Sequence, residues 1–494
     1  MSAPIIEIPA IEHVSRAELD RIVNLQRSSF LKEGTPSANA RRDRIDRLLL
    51  AVFEHADALG EALDADYGRR SPATTKALEI LGLLEEARFI EERLEDWIQP
   101  VPVEGSIPAQ ILQSPLGVVG ILAAWNGPIA TAVQPAIAAL AAGNRVIIKT
   151  NDVQRRTGVA LARAISTRLS EDEVAVVVGD LETTQAFSQL ELDHLMFTGS
   201  PAVGRIVAVN AAKNLVPVTL ELGGKNPALV SRSTDLAAAA RKIATTRLIN
   251  NGQACYAPDY AFVPREHLHD FVSAVRQGYL EVHPTVLDNA GVPSIVNEGN
   301  FERVLGLIED ALDKGATKIE AVDPVEEGRL PSRVHRLIAP TILLDVPEDA
   351  RIAQNEVFGP VLAVYPYDDI DEAIGYINTR PSPLALYYYG EDDNEYDRVL
   401  RHTRSGGVTR NDGPLHYIVT NAPFGGVGNS GTGAYHGKYG FDEFSHQRTV
   451  ATQTSETSVF APFTGVALTD PSLATTGEQG LADAIDTLTK RVSK

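Results

Sequence analysis

The sequence predicts a mixed α/β protein: a doubly wound, mostly parallel sheet in its first half and a second α/β domain after it. Three observations predict this. Between residues 118 and 222, five short apolar runs alternate with helical stretches, as strands and covering helices do in a parallel sheet wound on both faces. A second alternating series follows residue 255. A chain of 494 residues, 44% of them hydrophobic, is too long for one core and long enough for two or three domains.

Taken in order, residues 16 to about 97 are helical in period. Leu19, Ile22, Val23 and Leu25, then Ile45, Leu48, Leu49, Val52 and Phe53, recur at three-to-four spacing. The run Gly34-Thr35-Pro36-Ser37 breaks the first helix from the second. From Val101 to Ser114 two prolines and a glycine interrupt the chain, after which Ile111-Leu112 and Val118–Leu122 read as strands. The uncharged, alanine-rich stretch Pro128–Gly143 falls short of the roughly 20 residues a membrane span needs and reads as a buried helix. Strands then follow at Arg145–Lys149, Val174–Val178, Leu195–Thr198 and Val218–Leu222, with helices at Ala130–Ala142, Arg155–Leu169 and Thr183–Leu190. The second series has strands near Tyr260–Val263, Ile319–Val322, Thr341–Leu344 and Val361–Tyr365, and helices at Arg265–Tyr279, Asn300–Asp313 and Ile370–Asn378. Past Gly406 glycines dominate. The chain closes on a stretch with Leu481, Ile485, Leu488 and Val492 on one helical face.

The bulk numbers exclude several classes of partner. With 65 acidic against 45 basic residues the net charge is −20, which repels phosphate backbones and anionic lipid. Nucleic acid and membrane are not expected partners. Met1-Ser2-Ala3-Pro4-Ile5-Ile6-Glu7 lacks the basic start and apolar core of a secretory leader, and the expected location is cytoplasmic. His402, His416, His436 and His446 show no ligand spacing, so no metal is expected.

Cys255 is the one cysteine, which rules out an internal disulfide and a cysteine-based zinc site. It is either a small buried hydrophobe or a nucleophile. Asn250, Asn251 and Gly252 just before it suit a tight turn with exposed N–H groups better than a core strand, which favours a presented thiol.

Further segments share the chain with it: Ala124-Trp125-Asn126-Gly127-Pro128, Ile148-Lys149-Thr150-Asn151-Asp152, Phe197-Thr198-Gly199-Ser200, Leu220-Glu221-Leu222-Gly223-Gly224-Lys225-Asn226-Pro227 and Asn355-Glu356-Val357-Phe358-Gly359-Pro360. In this order, with Glu221 and Cys255 standing 34 positions apart, the chain resembles the aldehyde dehydrogenase superfamily from about residue 15 to residue 450. The distal run, including Pro423-Phe424-Gly425-Gly426-Val427-Gly428 and Tyr435-His436-Gly437-Lys438, resembles the class 3 branch and its coniferyl aldehyde dehydrogenases in particular.

The resemblance implies an architecture: a Rossmann-like nucleotide-binding domain, a second α/β catalytic domain and a small β oligomerisation flap. The expected boundaries are 1–100 for the N-terminal helices of the cofactor domain, 101–116 for an oligomerisation strand, 117–222 for the dinucleotide-binding domain, 223–415 for the catalytic domain, 416–434 for a return to the cofactor domain, and 435–494 for an oligomerisation segment and tail. A homodimer is implied. So are NAD as cofactor, with NADP open, and an aldehyde as substrate.

The chemistry defines the roles. Oxidising an aldehyde by hydride transfer first requires a tetrahedral adduct, which a thiolate forms well. The adduct's oxyanion needs fixed N–H donors, and the resulting thioester needs a carboxylate that activates water. By resemblance these are Cys255 as nucleophile, the Asn126 amide with the Cys255 backbone N–H as donors, and Glu221 as base. Taken singly, a Glu beside two glycines is a loop salt-bridge partner and an Asn before Gly-Pro a turn residue. The resemblance also places Ser200 at the pyrophosphate, Lys149 at the adenosine ribose, Glu356 at the nicotinamide ribose and Phe358 at the nicotinamide face. Trp125, Asp152, Gly179, Gly199, Val203, Leu222 and Gly223 complete the cofactor surface. A solvated strand-end lysine and a core phenylalanine are the plainer readings of Lys149 and Phe358.

Three departures bear on specificity. Gly127 stands where the family commonly has an aromatic, which implies a wider substrate passage. Tyr256, beside the nucleophile, is bulkier than usual; it either stacks on an aromatic substrate or refills the vacated space. Asp152 replaces a longer Glu and reaches the adenosine ribose less well; the full-length carboxylate would oppose a 2′-phosphate, so its weakening leaves NAD favoured and NADP open. His416 is either part of the substrate entrance or a satisfied structural histidine. The expected reaction is NAD(P)-dependent oxidation of a bulky aryl or cinnamyl aldehyde to the acid. The alternatives are acyl transfer to coenzyme A, or a medium- or long-chain aliphatic aldehyde.

Overall fold

The computed structural model describes residues 13–105, 107–456, 458–460 and 471–492; the segment Met1–Glu7 read above for a leader lies outside them. The chain divides into a large unit of residues 1–99 and 113–446, and a small one of residues 100–112 and 447–494.

The large unit opens with helices Arg16–Glu33, Ala38–Glu54 and Ala56–Tyr67. Ser15 and Ser37 cap the first two through their hydroxyls, and Gly34, at φ 73°, ends the first where the sequence breaks. A short α-turn, Pro72–Thr75, passes through a π-helical turn, Lys76–Ile80, into helix Leu81–Trp97.

The first sheet has six strands in the order Gly431–Thr432, Val218–Leu222, His194–Gly199, Val118–Leu122, Arg145–Lys149 and Val174–Val177. All pairs are parallel except the first, through which the distal chain returns to this sheet. Val118–Leu122 and Arg145–Lys149 are buried along their whole length, which is why they read as unbroken apolar runs. Helix Ala130–Ala141, the alanine-rich stretch expected to be internal, buries ten of its residues, among them Val133, Ile137 and Leu140.

The second sheet has seven strands: Thr317–Glu320, Thr341–Leu344, Val361–Tyr367, Pro258–Pro264, Asn226–Val230, Ala385–Tyr389 and Gly407–Arg410. Three of them, Asn226–Val230, Ala385–Tyr389 and Gly407–Arg410, go beyond the strands expected from the sequence, and they complete one side of this sheet. Helices Leu236–Leu248 and Leu268–Val282 cover it with Ala240, Ile243, Val272 and Val275.

The small unit carries most of a three-stranded sheet, Val101–Val103, Ala109–Pro115 and Ser445–Ala451, whose outer strands are largely exposed. Its second segment begins after His446, and helix Gly437–Glu443 before it buries Phe441 in the core that holds Ile137 and Leu140. The closing helix runs Pro471–Val492, with Leu481, Ile485, Leu488 and Val492 exposed.

Candidate active site

Register in the first sheet brings its candidate residues to one edge. Leu122 pairs with Lys149 and Phe197, Thr198 with Glu221, and Gly199 with Leu222, so these side chains stand at the carboxyl ends of neighbouring strands. Ligands of open α/β sheets bind at that edge. Asn126 lies in the turn that follows Leu122.

The thiol arrives from the second sheet. Asn250 and Asn251, at φ 50° and 56°, turn the chain just ahead of strand Pro258–Pro264; Asn tolerates that left-handed geometry. At Gly252, φ 80°, a Cβ would overlap the Gly359 carbonyl, so only glycine fits. The turn is tight as expected but not exposed. Arg247, almost fully buried, donates to the Pro258 and Gly252 carbonyls at 2.9 and 2.8 Å. Asn226 Nδ2 donates to the Cys255 carbonyl at 2.7 Å and the Ala257 carbonyl at 3.0 Å. The Gln253 side chain donates to the Asn250 and Ser294 carbonyls at 3.0 and 3.1 Å and accepts from the Val296 N–H at 2.9 Å. With its neighbours fixed, Cys255 remains partly exposed.

Cys255 lines a cleft that opens to solvent; Asn126, Gly127, Glu221 and Tyr256 line it too. The three proposed catalytic side chains therefore share one space. Burial pushes the thiol up, and the Glu221 and Glu356 carboxylates push it the same way, while the N–H groups of Cys255 and Tyr256 oppose the rise. Burial also raises Glu221 well above the ordinary carboxyl range, against one backbone hydrogen bond from Gly426. Glu221 Oε1 has no hydrogen-bond partner among the described residues. Burial is the first cause of both shifts, and it disfavours the charged form of each group.

The other side chains of the cleft are aromatic on one flank, with Tyr256 against Tyr417 at 5.1 Å and Tyr417 edge-on to Phe424 at 4.9 Å. His416 does not line it. Its Nδ1 bonds the Thr409 hydroxyl at 2.7 Å, burial holds it down at about 4, and the next residue, Tyr417, takes the position at the cleft. Sequence reasoning also missed Arg70, Glu79 and Thr198. The Thr198 hydroxyl is buried at the wall without a partner among the described residues.

The remaining candidates fall into two groups. In one, Lys149 is buried, contrary to the solvated reading, and its Nζ donates to the Thr150 and Gly179 carbonyls at 2.6 and 3.0 Å. Burial lowers it to about 8, with Asp152 and Asp180 pulling it back up. Asp152 is exposed. Ser200 caps helix Pro201–Ala212 through the Val203 N–H, and Val203 is itself 43% exposed at that helix start. A Cβ on Gly199 would press on the Phe197 ring and one on Gly179 on Thr183. In the other group, Trp125 meets Phe358 edge to face at 5.2 Å. A Cβ on Gly223 would overlap the Glu356 carboxylate, which burial raises to about 8. Leu222 is buried beneath Gly204.

Comparison with known proteins places this geometry in a family. A model of the aldehyde dehydrogenase family matches residues 5–450. A probable coniferyl aldehyde dehydrogenase of Caulobacter vibrioides is 39% identical over 474 residues, covering 94% of this chain and 96% of that protein. A solved structure of Staphylococcus aureus AldH in its substrate-bound state superposes with a TM-score of 0.83 at 31% identity, over 91% of this chain and 96% of that one. A Mycobacterium tuberculosis aldehyde dehydrogenase complexed with NAD+ gives 0.79 at 29% identity, over 91% and 92%.

Proposed function

The chain belongs to the aldehyde dehydrogenase family and is an oxidoreductase acting on aldehydes, and we propose that it converts a bulky aryl or cinnamyl aldehyde to its carboxylic acid through a thioester on Cys255. The observation that carries this is the convergence of Cys255, Asn126 and Glu221 on one cleft with an aromatic flank.

A nicotinamide cofactor, NAD with NADP open, fits the residues present. The edge beyond strands Arg145–Lys149 and His194–Gly199 offers an ammonium with one N–H unpaired among the described residues, and a capped helix N-terminus. Gly223, with no room for a Cβ, lets the backbone pass close by Glu356. Lys149, Asp152, Gly179, Gly199, Ser200, Val203 and Leu222 would hold the adenosine and pyrophosphate end, and Trp125, Gly223, Glu356 and Phe358 the nicotinamide end. A nicotinamide bound there would supply the acceptor for the hydride that leaves the tetrahedral carbon.

The chain's own residues do the rest. The Cys255 thiol gives its proton to solvent water at the open cleft and its sulfur attacks the carbonyl carbon; a C–S bond forms and the carbonyl π pair moves to oxygen. Asn126 Nδ2 and the Cys255 backbone N–H bind that oxyanion, an effect worth about 3 kcal/mol per donor. With hydride lost, the carbon becomes a thioester. Glu221 then takes a proton from water, the hydroxide adds, the C–S bond breaks, and acid and thiolate separate. A base that activates water destroys the thioester that acyl transfer to coenzyme A would need.

Tyr256, Tyr417 and Phe424 support an aromatic substrate, and Gly127 leaves its own place in the lining without a side chain. A homodimer is proposed from the largely exposed outer strands of the three-stranded sheet, which leave backbone edges to pair. The closing helix would extend that contact.

The test is a panel of cinnamyl, benzyl and aliphatic aldehydes assayed for reduced cofactor and product with wild type and Cys255→Ala. Cinnamyl or benzyl preference and free acid in the wild type, with turnover abolished in the variant, are expected. A preference for alkyl chains removes the substrate reading, acyl-coenzyme A as product removes the hydrolytic one, and wild-type rates in Cys255→Ala remove the nucleophile.

A further inference from the structure

We propose that Arg70 and Glu79, an ion pair buried in the cleft wall, are positioning residues that hold the Trp125–Pro128 turn so that the Asn126 amide faces the oxyanion. This rests on the reading of Asn126 as oxyanion donor given above. Both side chains are nearly inaccessible, 2% and 3% exposed, and Arg70 Nη2 meets Glu79 Oε1 at 2.6 Å. Both nevertheless line the cleft with Cys255.

Their other bonds go to the turn. Glu79 Oε2 accepts from the Ile129 and Ala130 N–H groups at 2.8 and 3.4 Å. Helix Ala130–Ala141 has no side-chain cap of its own, so a carboxylate from 50 residues away satisfies its first N–H groups and complements its dipole. On the other side of the turn, Arg70 Nη1 and Asn250 Nδ2 donate to the Asn126 carbonyl at 3.4 and 3.2 Å, and the Tyr67 hydroxyl to the Trp125 carbonyl at 3.4 Å. The backbone is gripped before and after Gly127, while the Asn126 side chain has no hydrogen-bond partner among the described residues.

Two features make this a device and not a generic cap. Glu79 sits in the π-helical turn Lys76–Ile80, a rare geometry that occurs mostly as single turns within α-helices and is frequent at functional sites. A Cβ at Gly127 would have as its nearest neighbours Glu79 Oε2 and Thr131 Cγ2, both at 3.9 Å. Gly127 thus offers no side chain to brace the turn, and the ion pair supplies the bracing. A buried ion pair gains little stability over well-packed apolar side chains, but it fixes direction.

The experiment is a double-mutant cycle in the full chain. Glu79→Gln and Arg70→Lys are each made alone and with Asn126→Ala, and kcat, KM and NAD binding are measured, with thermal unfolding as a check on folding. Glu79→Gln is expected to lower kcat roughly 10- to 100-fold, the cost of sub-ångström misplacement, with KM and NAD affinity within about threefold. In the Asn126→Ala background the same change is expected to cost less than about threefold, since residues acting through one another are not additive. Arg70→Lys, which keeps the charge and loses the fork, is expected to follow the same pattern, and decides the matter if Glu79→Gln does not fold. Equal losses in both backgrounds, or a rise in KM with kcat kept, overturn the proposal and leave the Asn126 reading intact. Full activity in Asn126→Ala alone overturns both.

Discussion

Replacing Glu86 by Gln should make the protein more stable at neutral pH, by an amount that grows as pH rises. Glu86 is 5% exposed on helix Leu81–Trp97. Burial raises its carboxyl to about 8 from an ordinary 4.5, against hydrogen bonds from Gln134 and the Gly437 backbone. Between those values the unfolded chain releases a proton that the folded protein keeps, so stability falls as pH rises from about 4.5 through about 8. Each pH unit in that window costs about 1.4 kcal/mol, which puts the loss on the order of 3 kcal/mol at pH 7 and below about 1 kcal/mol at pH 5. The amide keeps the shape and can donate to Gln134, but it cannot ionise. Urea unfolding of both proteins at pH 5, 6, 7 and 8 measures the difference. Free energies that lie close at pH 5 and separate by about 2 kcal/mol or more at pH 7, the Glu86→Gln variant being the more stable, are expected. Parallel pH dependences would refute the reasoning, since a surface-like carboxyl gives no separation.

Three further outcomes follow from the same structure. Glu221→Gln should cut steady-state turnover by about 100-fold or more while the first turnover still releases reduced cofactor as a burst; because burial raises Glu221, wild-type kcat should climb as pH increases and the variant's residual rate should lose that component, which stopped-flow and a pH profile check. Gly127→Phe should lower kcat/KM for cinnamyl aldehydes about tenfold or more and spare short alkyl aldehydes, because the Cβ has room, at 3.9 Å from its nearest neighbours, while the ring projects into the passage. Removing residues 466–494 should shift the proposed dimer toward monomer in light scattering at low concentration; an unchanged mass counts against a role for the helix carrying Leu481 and Ile485.

Some of the architecture was legible because burial writes itself into composition. Val118–Leu122 and Arg145–Lys149 have both faces covered, so their apolar runs have the same ends as the strands. Asn226–Val230 was hidden because it begins inside the segment read for chemistry, and Gly407–Arg410 because only Val408 in it is strongly apolar. Of the site, Cys255, Asn126 and Glu221 were found through their motifs and do meet at one cleft. Arg70 and Glu79 had no local signal: they lie among many charged residues of a helical segment, and their partner is a turn some 50 residues away. His416 and Tyr417 are adjacent on one short helical turn, and only the tertiary bond to Thr409 decides which of them reaches the cleft.

The most direct test of a thioester on Cys255 is peptide mass spectrometry of Glu221→Gln, quenched after mixing with NAD and cinnamaldehyde. The chain has one cysteine, so the site is unambiguous. The account predicts a cinnamoyl adduct on the peptide containing Cys255, formed in step with reduced cofactor and absent when NAD is left out. Reduced cofactor accumulating in the burst with that peptide unmodified would contradict it.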